Sequence, residues 1–287
     1  MQLTQACSLL PGQLSIKASR RHTTKNPSET EAMVEITFAL TDEAWKLTFK
    51  TLKHVHVCDE DEALRALLES WIKVVKRYCD FHETDNCWWY NERASLSTLA
   101  GAAWAIKGGI ALEEFSTAKR AEAFEAGVEG GGLRNGRCDL YIGCPSPAGP
   151  KTYAFEAKQC RQPTAEGRNP VLYLHRAMNS AWEDSGHLVK GEGETRYAAT
   201  FVLPTLNLTE ICPEGTDSGI CAVKVRERIE HWIERTGDFC SPRNKETSYA
   251  YIFPDLGDAR FSHRKRLFPG VVLVLEKRLK AYKRSRA

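Results

Sequence analysis

Two short apolar and aromatic runs flank a Pro/Gly-rich turn at residues 143–150, and both carry charges where a strand calls for burial. The first is Gly-Arg-Cys-Asp-Leu-Tyr-Ile, 136–142; the second is Lys-Thr-Tyr-Ala-Phe-Glu-Ala-Lys-Gln, 151–159. Their composition and the turn between them predict a hairpin or two successive strands. Side chains alternate across a strand, so Asp139 shares a face with Arg137 and Tyr141, opposite Cys138, Leu140 and Ile142. On the second run Ala154, Glu156 and Lys158 face one way and Tyr153, Phe155 and Ala157 the other. Charges on strands of this kind are costly unless they are paired or bound to a metal. Two carboxylates offer the oxygen donors that Mg²⁺ or Mn²⁺ takes, and an adjacent lysine can neutralise a phosphate or help activate water. The same trio also fits a plain ion pair on a solvated sheet face, and a motif this short does not choose between the two.

A helical stripe upstream adds a fourth residue. Leu96, Leu99, Ala100, Ala103 and Ile106 recur at helical spacing within 88–106, and stepping back from Leu99 through Leu96 reaches Glu92. A glutamate there is in register with the buried face; it could also cap the helix or pair with Arg93.

Asp139, a turn, then Glu156-Ala157-Lys158 resembles the Asp…(Asp/Glu)-x-Lys signature of the PD-(D/E)XK nuclease superfamily, with Cys138 where the signature has proline. The run from Tyr90 to Trp104 looks like the helix that supplies a glutamate to the metal site in that superfamily. The resemblance covers about 90–203 and implies an α/β fold. Its core would be restriction endonuclease-like (α-β-β-β-α-β), a central mixed sheet flanked by helices, with N- and C-terminal extensions. It further implies a metal-dependent nuclease that hydrolyses phosphodiester bonds, in DNA rather than RNA. By resemblance, Asp139 and Glu156 hold one or two Mg²⁺ (or Mn²⁺) ions, with the main-chain carbonyl of Ala157 as a further ligand. Glu92 binds directly or through water, and Lys158 orients or activates the attacking water. Should Glu92 face away, Glu113 or Glu114 is next in line.

Charge distribution fits a nucleic-acid partner and equally a pair of merely solubilising ends. The net charge of +3 divides into basic ends and an acidic body. Residues 1–28 hold four Lys/Arg and no acid, residues 260–287 hold ten Lys/Arg and one acid, and the middle carries 26 Lys/Arg against 36 Asp/Glu. A polyanion would be met by the ends as well as by a local groove. Arg134 and Arg137, beside a glycine-rich loop at 127–136, and Arg264, Lys265 and Arg266, in a basic loop with Phe261, are the expected phosphate contacts. That glycine-rich loop lacks the Gly-Lys-Ser/Thr ending of a P-loop. Two other classes stay open: a catalytically silent nucleic-acid-binding protein of the same fold, and a protein-interaction module. A homodimer or larger complex fits either.

No apolar run approaches the roughly 20 residues of a membrane helix. The ten cysteines show no Cys-x-x-Cys pair and read as reduced thiols of a cytoplasmic protein. Residues 1–32 read as a disordered basic tail, compatible with a transit segment or an upstream start before Met33, and 33–287 as one domain with a catalytic core at about 88–206.

Elsewhere the pattern predicts strands at 34–40 and 47–52, an edge strand bearing His54 and His56, and a core helix opened by the acids of 59–62. Residues 110–119 are expected to form a strand leading into a short helix. After a polar connector at 159–169, Pro170 at a first helical position opens a crossover helix through Ala181, which leads to a strand at 196–203. A helix at 220–235 and strands at 248–253 and 271–275 complete the sheet.

Overall fold

The computed structural model describes residues 50–120, 133–189, 192–212 and 219–279. The expected basic tail, the 34–40 strand and residues 127–132 of the glycine-rich loop lie outside these residues.

Helix α1 (Glu62–Phe81) starts where the acidic run ends, because the Asp61 carboxylate accepts the Leu64 N–H at 3.1 Å. Its stripe of Leu64, Leu67, Leu68, Trp71 and Val75 is buried. Helix α2 (Glu92–Trp104) is capped in the same way by Asn91, whose side-chain oxygen accepts from Ala94 N–H at 3.1 Å. Glu92 is therefore the first helical residue, and the preceding Trp88–Tyr90 segment is a turn rather than helix as the periodicity suggested.

The sheet runs, in spatial order, β1 (Leu52–His56), β6 (Ser248–Phe253), β9 (Val271–Arg278), β5 (Thr195–Asn207), β4 (Lys151–Pro163), β3 (Leu133–Cys144) and β2 (Ile110–Arg120). A small hairpin, β7 (Ser262–His263) and β8 (Arg266–Leu267), hangs from the end of β5. Among the described residues only β4 and β5 pair in parallel, and α3 (Leu172–Gly186) lies between them in the chain. The molecule is thus an α/β protein with a large mixed sheet flanked by helices. The face of β4 that bears Lys158 meets α3 through Asp184. The opposite face, bearing Tyr153 and Gln159, meets α1 through Asp61 and α2 through Ser95.

Pairing overrode composition at three places. β2 stays extended through Arg120, and β3 begins at Leu133, because their ladder continues to Arg120↔Leu133. No short helix follows 110–119 within the described residues, and Gly136 belongs to a strand rather than to a loop. The polar stretch after Lys158 is likewise strand as far as Pro163, held to β5 through Pro163↔Thr205. Pro170 precedes α3 instead of opening it, with Val171 at the cap position. The remaining helices are α4 (Leu208–Ile211) and α5 (Ala222–Arg235). His54 and His56 do sit, exposed, on an edge strand, His56 stacked on Tyr249 and His54 tilted against Tyr251.

Candidate functional site

Asp139 sits where the sheet is interrupted on both sides. The β2–β3 ladder passes from Glu113↔Leu140 to Phe115↔Cys138 and skips the Glu114–Asp139 pair; Glu114 adopts a left-handed backbone with φ 52°. On the other side the β3–β4 ladder ends at Leu140↔Phe155, one residue short of Asp139 and Glu156. Beyond that point β3 and β4 fork. The Ala157 N–H, left without a β3 carbonyl, is taken by Asp139 Oδ2 at 2.9 Å. A non-glycine residue held at positive φ costs on the order of 1 kcal/mol or more, and such strain gathers at functional sites. The Glu114 carboxylate bridges Arg93 at 3.3 Å and Arg137 at 3.0 Å, which fixes the kink.

Glu156, on the neighbouring strand, is 2 % exposed. Its Oε1 contacts the Lys119 ammonium at 2.7 Å and has no other polar partner among the described residues. Gly136 makes this possible. A Cβ there would lie 2.7 Å from the Lys119 stem, so only glycine lets that side chain cross β3 toward β4. Burial, followed by the like charge of Asp139, pushes the Glu156 carboxyl up to about 8, with Lys119 opposing and Asp184 adding to the rise.

Lys158 shares the face of Glu156 and pairs with Asp184 Oδ2 of α3 at 2.6 Å. Burial alone would lower its pKa. The bond to Asp184 and the charges of Asp184, Glu92 and Asp139 outweigh that and hold it above the usual lysine value. Glu92 comes from α2 on the other side of the fork. Burial raises its pKa; Lys158 and the Gln159 backbone N–H counter this, while Asp139 and Asp184 reinforce it. Helical register had placed Glu92 toward the sheet, and it feels Lys158 and Asp139 rather than Arg93, which belongs to Glu114.

Glu92, Asp139, Glu156 and Lys158 thus share one electrostatic neighbourhood at the fork. The donor chemistry fits a hard divalent cation: oxygen ligands, two raised carboxylates and a buried oxygen held by a single ammonium. As the side chains stand, they do not close into a cage; among the described residues no group of three or more His, Cys, Asp or Glu converges at metal-binding spacing. Ala157 contributes its N–H to Asp139 while pairing with Ala199 of β5. The alternates are both engaged, Glu113 with the Ser97 hydroxyl at 2.9 Å and Glu114 with its two arginines.

Of the expected phosphate contacts, Arg137 is committed to Glu114, and the Arg134 side chain lies outside the described atoms. Arg264, Lys265 and Arg266 are exposed on the β7–β8 hairpin. Sequence reasoning missed Lys119 and Asp184, the two partners of the central pair. Their signals were faint: a glycine in a strand, diagonal to Lys119 across the β2–β3 ladder, and an acid three residues past Ala181 on the crossover helix. The described cysteines are all free, and no described helix is long and apolar enough to cross a membrane. No family model, curated protein or solved structure matches this chain.

Proposed function

We propose that the fork between β3 and β4 is the active site of a Mg²⁺- or Mn²⁺-dependent nuclease with a restriction endonuclease-like core, acting on phosphodiester bonds of DNA. The order α2, β2, β3, β4, α3, β5 supports this reading, since it is the helix-strand-strand-strand-helix-strand order that the motif resemblance implies. One observation carries it. A buried glutamate is placed beside a like-charged aspartate at a break in the ladder, an arrangement that costs stability and is relieved by a cation. Asp139 and Glu156 would hold the ion, with Glu92 at its edge. When bound, the metal lowers the pKa of water and offsets charge developing on phosphorus. Lys158, kept protonated by Asp184, is a cation rather than a base; its part is to orient the water or to neutralise a phosphate oxygen.

A second reading has its own support. Each acid of the fork already has a cationic or N–H partner, as in a nucleic-acid-binding protein that does not cut. Incubating plasmid DNA with the full chain, with Mg²⁺ and with excess EDTA, separates the two. Nicking that needs Mg²⁺ and is abolished in both Asp139→Asn and Glu156→Gln supports the nuclease. DNA retention without nicking in any divalent cation supports the silent binder.

A further inference from the structure

A second cluster lies farther along β4. Trp89, Arg161, His263, Arg264, Arg266 and Phe268 line a cavity of about 400 Å³ between the Trp88–Tyr90 turn, the end of β4 and the β7–β8 hairpin. Three guanidinium groups face it and no carboxylate does. Among the described residues none of the three forms an ion pair with an acid. Like charges gathered without a counter-ion repel one another, and an anion with several oxygens relieves this better than water does.

The hairpin that carries two of these arginines is strained in a specific way. Its tip, Arg264-Lys265, is a two-residue turn with φ 45° and 66°. Turns with both central residues at positive φ normally use Asn-Gly or Asp-Gly. Two long basic side chains at such positions cost backbone energy, and observed strain of this kind points to a use for the residues. The hairpin is also anchored: Arg266 pairs with Asn207 of β5, and the Leu208 N–H donates to Lys265 O at 3.0 Å. With His263 of the hairpin itself, Trp89 and Phe268 form an aromatic wall. The Trp89 ring lies 4.9 Å from the rings of both His263 and Phe268, and the Arg161 guanidinium lies 4.7 Å over it.

We propose that this notch is a subsite for an unpaired nucleic-acid strand, with a phosphate held by Arg161, Arg264 and Arg266 and its base stacked on the Trp89–His263 wall. The cavity is of the size that takes one nucleotide-scale ligand. Guanidinium forks recognise phosphate oxygens in pairs, and aromatic faces bind bases with little regard to sequence. In a duplex the base faces are stacked on one another and closed to such a wall, so a single strand is preferred. Arg161 follows Lys158 by three residues, roughly 10 Å along β4 and on its opposite face, the one that meets α2, so a strand leaving the notch would approach the fork from the side of Glu92. That placement rests on the nuclease reading; the notch itself does not.

The test uses the full chain in EDTA, so that cleavage plays no part. Fluorescence anisotropy is followed for a labelled oligothymidylate of about twelve nucleotides, within the span of such sites. An abasic oligomer of equal length, the duplex and an acidic phosphopeptide serve as comparisons. Oligothymidylate is expected to bind most tightly and to weaken steeply with salt, with the abasic strand about tenfold weaker. Arg161→Ala and Arg266→Ala should each cost about tenfold and flatten the salt dependence by about one phosphate. Trp89→Leu should bring oligothymidylate down to the abasic level; if that variant does not fold, His263→Ala carries the same comparison. Equal binding of duplex and single strand, unchanged affinity in both arginine variants, or capture of the phosphopeptide in preference to the oligomer would each overturn the proposal. Binding without Mg²⁺-dependent cutting leaves the notch standing and removes the nuclease; cutting with both arginine variants unaffected does the reverse.

Discussion

Glu156 and Glu276 are both glutamates buried in the same sheet, 2 % and 1 % exposed, yet their surroundings have opposite character. Glu276, on β9, accepts a hydrogen bond from the Ser241 hydroxyl and contacts the Arg243 guanidinium at 3.4 Å. Burial raises its pKa, and every other influence, from Ser241, Arg243, Lys245 and His175, pulls it back. Beside it Arg243, Lys245 and Arg278 gather over the Trp182 ring at 4.5 to 4.6 Å. Glu156 has one lysine, and both Asp139 and Asp184 push its pKa further up. Burial of a carboxylate is therefore uninformative by itself; the sign of the next neighbour separates an ion pair that is fully compensated from one that an added cation would relieve.

The largest expected effect is on turnover. Asp139→Asn and Glu156→Gln should each lower Mg²⁺-dependent cleavage by at least about 10³-fold, since removing a group that holds the metal removes the electrostatic stabilisation it delivers. Glu276→Gln should leave cleavage within about tenfold, measured on the same plasmid. Equal losses at both glutamates would dissolve the distinction.

Next comes stability at neutral pH. Arg243→Ala removes the guanidinium paired with the buried Glu276 and should cost about 3–5 kcal/mol in chemical denaturation, the usual penalty for breaking a buried pair. Lys119→Ala should cost less, about 1–2 kcal/mol, because Glu156, already near pKa 8, takes up a proton in place of the lost lysine. A Lys119→Ala loss as large as that of Arg243→Ala would put Glu156 in the structural class.

A further effect sharpens the comparison through pH. Glu156 has a folded pKa of about 8 against about 4.3 in the unfolded chain. The native state thus holds the extra proton between those values. Its stabilising contribution is complete below about 4.3 and is lost as pH rises through about 8. In EDTA, wild-type protein should lose about 4 kcal/mol between pH 5 and pH 8.5 relative to Glu156→Gln, read from paired denaturant titrations. Parallel curves for the two proteins would show that Glu156 is ionised throughout.

Much of the sheet could be read from the chain, because alternation in 136–142 and 151–159 assigns faces without knowledge of the partner strands; Cys138, Leu140 and Ile142 are all fully buried. Helical register singled out Glu92, whose charge couples to Lys158 and Asp139. What could not be read depends on contacts distant in sequence. Lys119 reaches Glu156 only because β2 and β3 stay paired past Gly136, and no local pattern in 110–120 announces that. The 159–163 stretch lacks strand composition, and parallel pairing with β5 decides its state instead. That misreading also hid Arg161, and with it the notch that Trp89 and the β7–β8 hairpin complete. Motif spacing named Asp139, Glu156 and Lys158 but not Lys119 and Asp184, the partners that hold the last two.

The central claim is that Asp139 and Glu156 form a cation site whose metal displaces a proton. Calorimetric titration of the full chain with Mg²⁺ at pH 6, 7 and 8, in buffers of different ionisation enthalpy, tests it directly. The account predicts saturable binding that strengthens as pH rises toward about 8, releases close to one proton at pH 6 to 7, and is lost in Glu156→Gln. Binding that is absent in wild-type protein, or that is independent of pH and unchanged in Glu156→Gln, would contradict it.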